Sequence, residues 1–212
     1  MSSFGILLPG HGGSAREFAK SHRKQWIKYV NCQIEEISKK YPQIILVGHS
    51  MGTLLSLLVC EKHEAVVGVV CLATPLSVKV SLKGFVCSLK VLTGHYSQDD
   101  EYVLASYRAW SISKGTWGDY LKWIPRYLDL FHLIYETKKQ LPMIKKPLLF
   151  IHCQCDEFVR NRTTKILKKK LTGDNYELIE LCKSGHFYYR GDESQTLEQA
   201  ILKFVTQFKV DN

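Results

Sequence analysis

The chain has 212 residues, 45% hydrophobic and 11% aromatic, which is enough to bury a sizeable core and too apolar for an intrinsically disordered segment. The 29 Lys and Arg against 20 Asp and Glu leave a formal charge of +9, spread along the chain, with Lys168-Lys169-Lys170 the one tight cluster. Zinc-finger spacing, an RNP-like motif and a Walker A loop are all missing, so no nucleic-acid partner is expected. The basic surface suits anionic substrates or membrane headgroups, and an ordinary solvated face explains it as well.

No apolar run approaches the roughly 20 residues that a membrane helix needs. Met1-Ser2-Ser3-Phe4 lacks a basic n-region, so no secretory signal is expected. The seven cysteines are odd in number and mostly sit inside apolar runs, which predicts buried free thiols in a reducing cytoplasm and no disulfide framework.

Phe4 to Leu8 reads as a buried strand ending in the glycine-rich turn Pro9 to Ser14. Ser14 with Glu17 three residues later forms a capping box, opening a helix that carries Trp26, Val30, Ile34 and Ile37 on one face and ends at Pro42. Gln43 to Val47 is a strand buried on both faces, followed by Gly48-His49-Ser50-Met51-Gly52 and a helical run from Leu54 to Lys62. A G-x-S-x-G between strand and helix is the setting of a nucleophile elbow. Glycines at 48 and 52 leave out side chains that would collide in the sharp turn. The turn lifts the Ser50 hydroxyl and aims the Met51 N–H and the helix N-terminus at one space, where an oxyanion would be favoured. The alternative is a chance match in an ordinary strand-to-helix turn.

Val66 to Leu72 is a second apolar strand, and two strands around a helix imply a right-handed crossover and a parallel sheet. Residues 76–142 interrupt the alternation with a long segment containing Tyr96, Tyr102, Tyr107, Trp110, Trp117, Tyr120, Trp123, Tyr127, Phe131 and Tyr135. We expect this insertion to be helical in pieces and to form a lid, its aromatics either core or pocket lining. Pro147 to Cys153 is a strand, Arg162 to Leu171 a basic helix, Tyr176 to Cys182 an edge strand, and Leu197 to Phe208 a final amphipathic helix.

Asp156 follows the strand 147–153, and His186 follows the strand 176–182. With Ser50 they stand in the order Ser, acid, His, each at the strand edge where open α/β sheets build their sites. The imidazole would take the Ser50 proton, and Asp156 would fix its tautomer. Taken singly, Asp156 also reads as a helix cap and His186 as a loop histidine. Strand alternation sends His152 and Cys153 to opposite faces, so these and Cys155 are not expected to bind metal, and no cofactor is expected.

These segments resemble the α/β-hydrolase fold, in its carboxylesterase and monoacylglycerol-lipase-like branch. Leu8-Pro9-Gly10-His11-Gly12-Gly13-Ser14 is similar to that branch's L-x-G-H-G-x-S, Gly48 to Gly52 to its elbow, Ile151 to Val159 to its D-E-F-V segment and Ser184-Gly185-His186 to its S-G-H. The resemblance implies that Ser50, Asp156 and His186 are nucleophile, acid and base, and that the substrate is a small or lipid-like carboxylic ester. Thr53 and Cys153 depart from glycines usual in the branch. The three strands that normally come before L-x-G-H-G-x-S have no counterpart in the sequence, which is either a truncated reading or a minimal fold.

We therefore expect a small single α/β domain, a mostly parallel sheet of about five strands flanked by helices, with 76–142 as the lid. In a minimal fold Phe4–Leu8 slides beside strand 43–47, and the N–H of His11 or Gly12 joins Met51 in the oxyanion hole. The same triad would also serve a thioesterase or acyltransferase, and a degenerate hydrolase would only bind. The oligomeric state stays open.

Overall fold

Three apolar runs and one partly alternating run form the four strands of the computed structural model, which describes residues 2–79, 90, 97, 99–109, 111–113 and 115–208. Helices α1 (Ala15–Lys20) and α2 (Arg23–Ser38) come before strand β1 (Ile44–His49), and α3 (Met51–Val59) joins β1 to β2 (Val66–Leu72). Between β2 and β3 (Leu148–Cys153) lie α4 (Glu101–Ala109), α5 (Trp117–Leu121) and α6 (Ile124–Gln140). Helix α7 (Arg162–Lys170) leads to β4 (Tyr176–Leu181), and α8 (Gly191–Thr206) follows.

The strands lie side by side in chain order, every neighbouring pair parallel. Right-handed crossovers made in one direction stack the connecting helices on one face of the sheet. There α2, α3, α6 and α7 enclose the larger core around Trp26, Ile34, Leu54, Leu133, Phe150 and Leu167. Helix α8 covers the other face through Phe204, packed with Val70, Leu149 and Ile151. Central β3 is buried at all six positions, whereas edge strand β4 exposes Glu177.

The Ser14–Glu17 capping box is present, but the one helix expected after it is two. Ser21 is extended and ends α1, and the His22 ring then accepts from the Gln25 N–H to start α2. Trp26, Val30 and Ile34 are buried as the periodicity requires, with Ile37 only partly so.

Phe4–Leu8 is not a strand, which corrects the five-strand expectation to four. Its apolar character is used without a ladder, Ile6 and Leu8 packing on the core and Phe4 against the Tyr41 ring. Its end is tied elsewhere. Trp26 Nε1 donates to the Pro9 carbonyl (2.9 Å), and Ser113 N–H to that of Gly13 (2.9 Å). The outer edge of β1 therefore stays open. Ile44 and Ser50 donate toward the β2 side, so Ile45, Val47 and His49 face outward, and among the described residues their backbone groups have no backbone partner.

Within the segment between β2 and β3, α5 and the start of α6 dock on α1. Trp123 is buried and donates to the Ala15 carbonyl (2.9 Å), and Arg16 pairs with Asp119 (3.1 Å). Of the aromatics expected there as core or lining, Tyr127, Phe131 and Tyr135 are instead exposed. Tyr96, Trp110 and the side chain of Trp117 lie outside the described residues. Cys60, Cys71 and Cys153 are buried thiols, whereas Cys32, Cys155 and Cys182 are exposed ones.

Candidate active site

Ser50 ends β1 at φ 50°, ψ −121°, a backbone conformation that costs a non-glycine residue strain and tends to occur at functional turns. Gly48 makes the turn feasible, since a Cβ there would lie 2.6 Å from Gly52 C and from Thr53 N. Gly52 has no such role, because a Cβ at that position would meet nothing within 4 Å. The clash expected at both glycines exists at one. Thr53, which stands where the branch usually has glycine, is fully buried. Its hydroxyl donates to the Ser50 carbonyl (2.7 Å) beside its own N–H (3.0 Å), which clamps the turn. The Met51 N–H belongs to the first turn of α3 and has no partner among the described residues, as first-turn donors commonly lack one.

Asp156 lies in the loop after β3 and is fully buried. Its Oδ1 accepts from the N–H groups of Phe158 (2.8 Å) and Val159 (2.7 Å), and its Oδ2 faces His186 Nδ1 at 2.7 Å. Burial pushes this carboxyl up, but the bonds from His186, Val159 and Phe158 more than offset it, so the net shift is below the ordinary carboxylate value. A carboxylate fixed this way orients the imidazole and leaves Nε2 as the nitrogen able to take a proton.

The His186 loop is joined to the turn at Ser50 through His49. Its Nε2 donates to the His186 carbonyl (2.8 Å), and the two rings lie 4.8 Å apart. Burial, then the neighbouring His186, lowers the His49 pKa to about 4, so near neutrality this imidazole is uncharged and carries its proton on Nε2. The loop that carries His186 thus sits beside the residue before Ser50. The Ser50 hydroxyl makes no hydrogen bond to the imidazole in this structure. Bonds of this kind are often long before substrate arrives.

Two carboxylates hold the His186 loop. Buried Glu157 accepts the His186 N–H (3.1 Å) and the hydroxyl of Tyr102 from α4. Burial first, then this carboxylate, raises the Tyr102 pKa, which keeps its hydroxyl a donor. Glu193 in the first turn of α8 accepts from Cys182 N–H (2.6 Å), Lys183 N–H (2.9 Å) and the Ser184 hydroxyl (2.6 Å). Sequence reasoning missed His49, Glu157 and Glu193 in these roles. His49 and Glu157 each adjoin a residue that it did single out.

Of the residues expected to supply a second oxyanion donor, His11 has its N–H closed onto the Leu8 carbonyl (2.9 Å), and its ring packs between Phe18 and Trp26. The Gly12 N–H has no partner among the described residues. His152 bonds through Nε2 to Asn161 (3.1 Å), while Cys153 faces the core under α8.

A parallel sheet carrying a strained serine at a strand end, with a buried acid–imidazole pair on later loops, defines an α/β-hydrolase. The chain belongs to the family described as "Serine aminopeptidase, S33", whose model matches residues 3–187. No curated protein matches the chain at a significant level. Among solved structures it is similar to a structure from work on LipS and LipT, two metagenome-derived lipolytic enzymes (17% identity, TM-score 0.69, covering 94% of this chain and 80% of that one). It is also similar to the monoacylglycerol lipase of Paleococcus ferrophilus (18%, 0.67, covering 95% and 81%) and to a lipase-esterase related protein of Clostridium acetobutylicum (19%, 0.57, covering 86% and 75%). At these identities the likeness speaks for the fold.

Proposed function

We propose that the chain is a serine hydrolase of carboxylic esters, small or lipid-like, working through an acyl-enzyme on Ser50, His186 and Asp156. The observation that carries this reading is the buried 2.7 Å Asp156–His186 pair on a loop bonded to His49, next to the strained Ser50. In this reading the Ser50 hydroxyl attacks the ester carbonyl while His186 Nε2 takes its proton. The resulting oxyanion is received by the Met51 N–H, with Gly12 as second donor. Collapse expels the alcohol, protonated by His186, and water activated by the same imidazole frees the acid. The segment 76–142 acts as the lid. Esters are favoured over amides by the lipolytic structures the chain resembles, although the family's description names a peptidase. A thioesterase or acyltransferase would use the same three residues.

A second reading, a hydrolase that only binds its ligand, is favoured by the missing Ser50–His186 hydrogen bond and by the committed His11 N–H. Labelling with a fluorophosphonate, read by intact mass, separates the two. One adduct on the wild type and none on Ser50→Ala supports the enzyme. Acyl esters of graded length, compared with aminoacyl anilides, then identify the bond cleaved. No adduct on folded wild type would replace the enzyme with the binding reading.

A further inference from the structure

Helix α6 is apolar on both sides. Its inner face buries Leu133 and Ile134 against α2 and α3. Its outer face carries Ile124, Tyr127, Leu128, Phe131 and Tyr135, and Leu121 lies just before it; each is more than half exposed. A surface helix ordinarily turns polar residues outward, and a continuous exposed apolar strip marks an interaction surface.

The charges around this strip have one sign. Between 121 and 143 the exposed charged residues are Lys122, which also lies 3.7 Å from the buried Asp119 carboxylate, and Lys139, stacked on the Tyr135 ring at 4.8 Å. Both carboxylates of α6 are turned aside and paired. Asp129 meets Arg126 (3.0 Å) and Arg23 (3.7 Å), and Glu136 meets Arg23 (2.8 Å). An apolar, aromatic strip rimmed by lysines and free of unpaired acid is complementary to an anionic lipid surface, where Tyr and Lys take the headgroup level. A second copy would set lysines against lysines. No described helix is long and apolar enough to cross a membrane, so the fitting arrangement is a helix lying in the interface plane.

We propose that the outer face of α6 seats on an anionic membrane surface, with Leu128 and Phe131 at the centre of the buried strip and Lys122 and Lys139 on headgroup phosphates. The net charge of +9 adds long-range attraction to the same surface. The test is flotation with vesicles of phosphatidylcholine alone and of phosphatidylcholine mixed with phosphatidylserine. Wild type is expected to float with the mixed vesicles, less so at high salt, and hardly with the neutral ones. Leu128→Glu with Phe131→Glu should weaken binding by roughly tenfold or more, and each of Lys122→Ala and Lys139→Ala by about fivefold. All four sites are exposed, so thermal melts should match wild type. Ser50→Ala should bind as wild type does, which separates this result from the proposed chemistry. The proposal falls if wild type stays unbound, or if the double glutamate variant binds equally well. It also falls if light scattering shows a dimer that this variant dissolves, which would assign the face to a second copy.

Discussion

The two glycines of G-x-S-x-G should respond in opposite directions to the same methyl group. At Gly48 a Cβ would sit 2.6 Å from Gly52 C and Thr53 N and 2.7 Å from Gly52 O. Ordinary contact begins near 3.4 Å, so the strand and the helix must part by most of an ångström. All the obstructing atoms are backbone, and Thr53 is fixed by its two bonds to Ser50, so no side chain can swing away. Overpacking of this kind costs about 2–3 kcal/mol, or roughly 4–12 °C in Tm for a chain of this size. Gly52 lies inside α3, where a Cβ finds open space and glycine is the poorer helix former. Gly52→Ala should therefore stabilise by about 0.5–1 kcal/mol, or roughly 1–4 °C. The assay is paired thermal and urea unfolding of Gly48→Ala, Gly52→Ala and wild type. Equal losses in both variants would refute the reasoning, because they would mean that the motif needs glycine at 52 for a reason outside this backbone geometry.

Ser50→Gly should raise stability by about 1 kcal/mol, since glycine adopts φ 50° without strain, while abolishing probe labelling; a loss of stability would mean that the turn stores no strain. His49 is a base whose folded pKa, about 4, lies below its ordinary 6.5. Between these values the unfolded chain takes up a proton that the folded one refuses, so stability falls as pH drops from about 6.5 to about 4 and levels off below. His49→Gln keeps an N–H donor and should flatten that slope in urea titrations run across the window. Glu193→Ala removes the acceptor of three donors in the His186 loop, two of them at exposed residues that water can reach, and should cost about 1 kcal/mol. It should also lower kcat on an ester substrate with KM little changed, Glu193→Gln restoring part of the loss; a change confined to KM would place Glu193 in substrate binding instead.

The sheet was largely legible because parallel strands covered on both faces read as unbroken apolar runs. Val66–Leu72 matches β2 in full, and the other three strands differ by one or two residues at their ends. The positions of Asp156 and His186 followed from the same regularity, since loops at one sheet edge converge whatever their distance in sequence. Phe4–Leu8 misled because an apolar run records a need for burial and not a ladder partner. Ile6 and Leu8 meet that need against the core, and Trp26 holds the turn behind them. The break at Ser21-His22 was hidden for a related reason, because apolar spacing continues across it while the two side chains close one helix and open the next.

The least legible feature is what holds His186 in place. The loop 182–190 has no regular structure, yet the proposed chemistry requires His186 to be held to a fraction of an ångström. The precision comes from three directions. Asp156 fixes the ring, Glu157 the backbone N–H, and His49 the carbonyl of the same residue, so every polar group of His186 except Nε2 has a partner. Glu193 then secures the chain just before it. Asp156 and Glu157 are ordinary surface residues by composition, and only the fold turns them inward. Glu157 also receives the Tyr102 hydroxyl, so His186 is linked to α4 of the inserted segment as well as to the sheet. A shift of α4 would reach the His186 backbone through Glu157, so Tyr102→Phe should loosen His186 while leaving the Asp156–His186 pair intact.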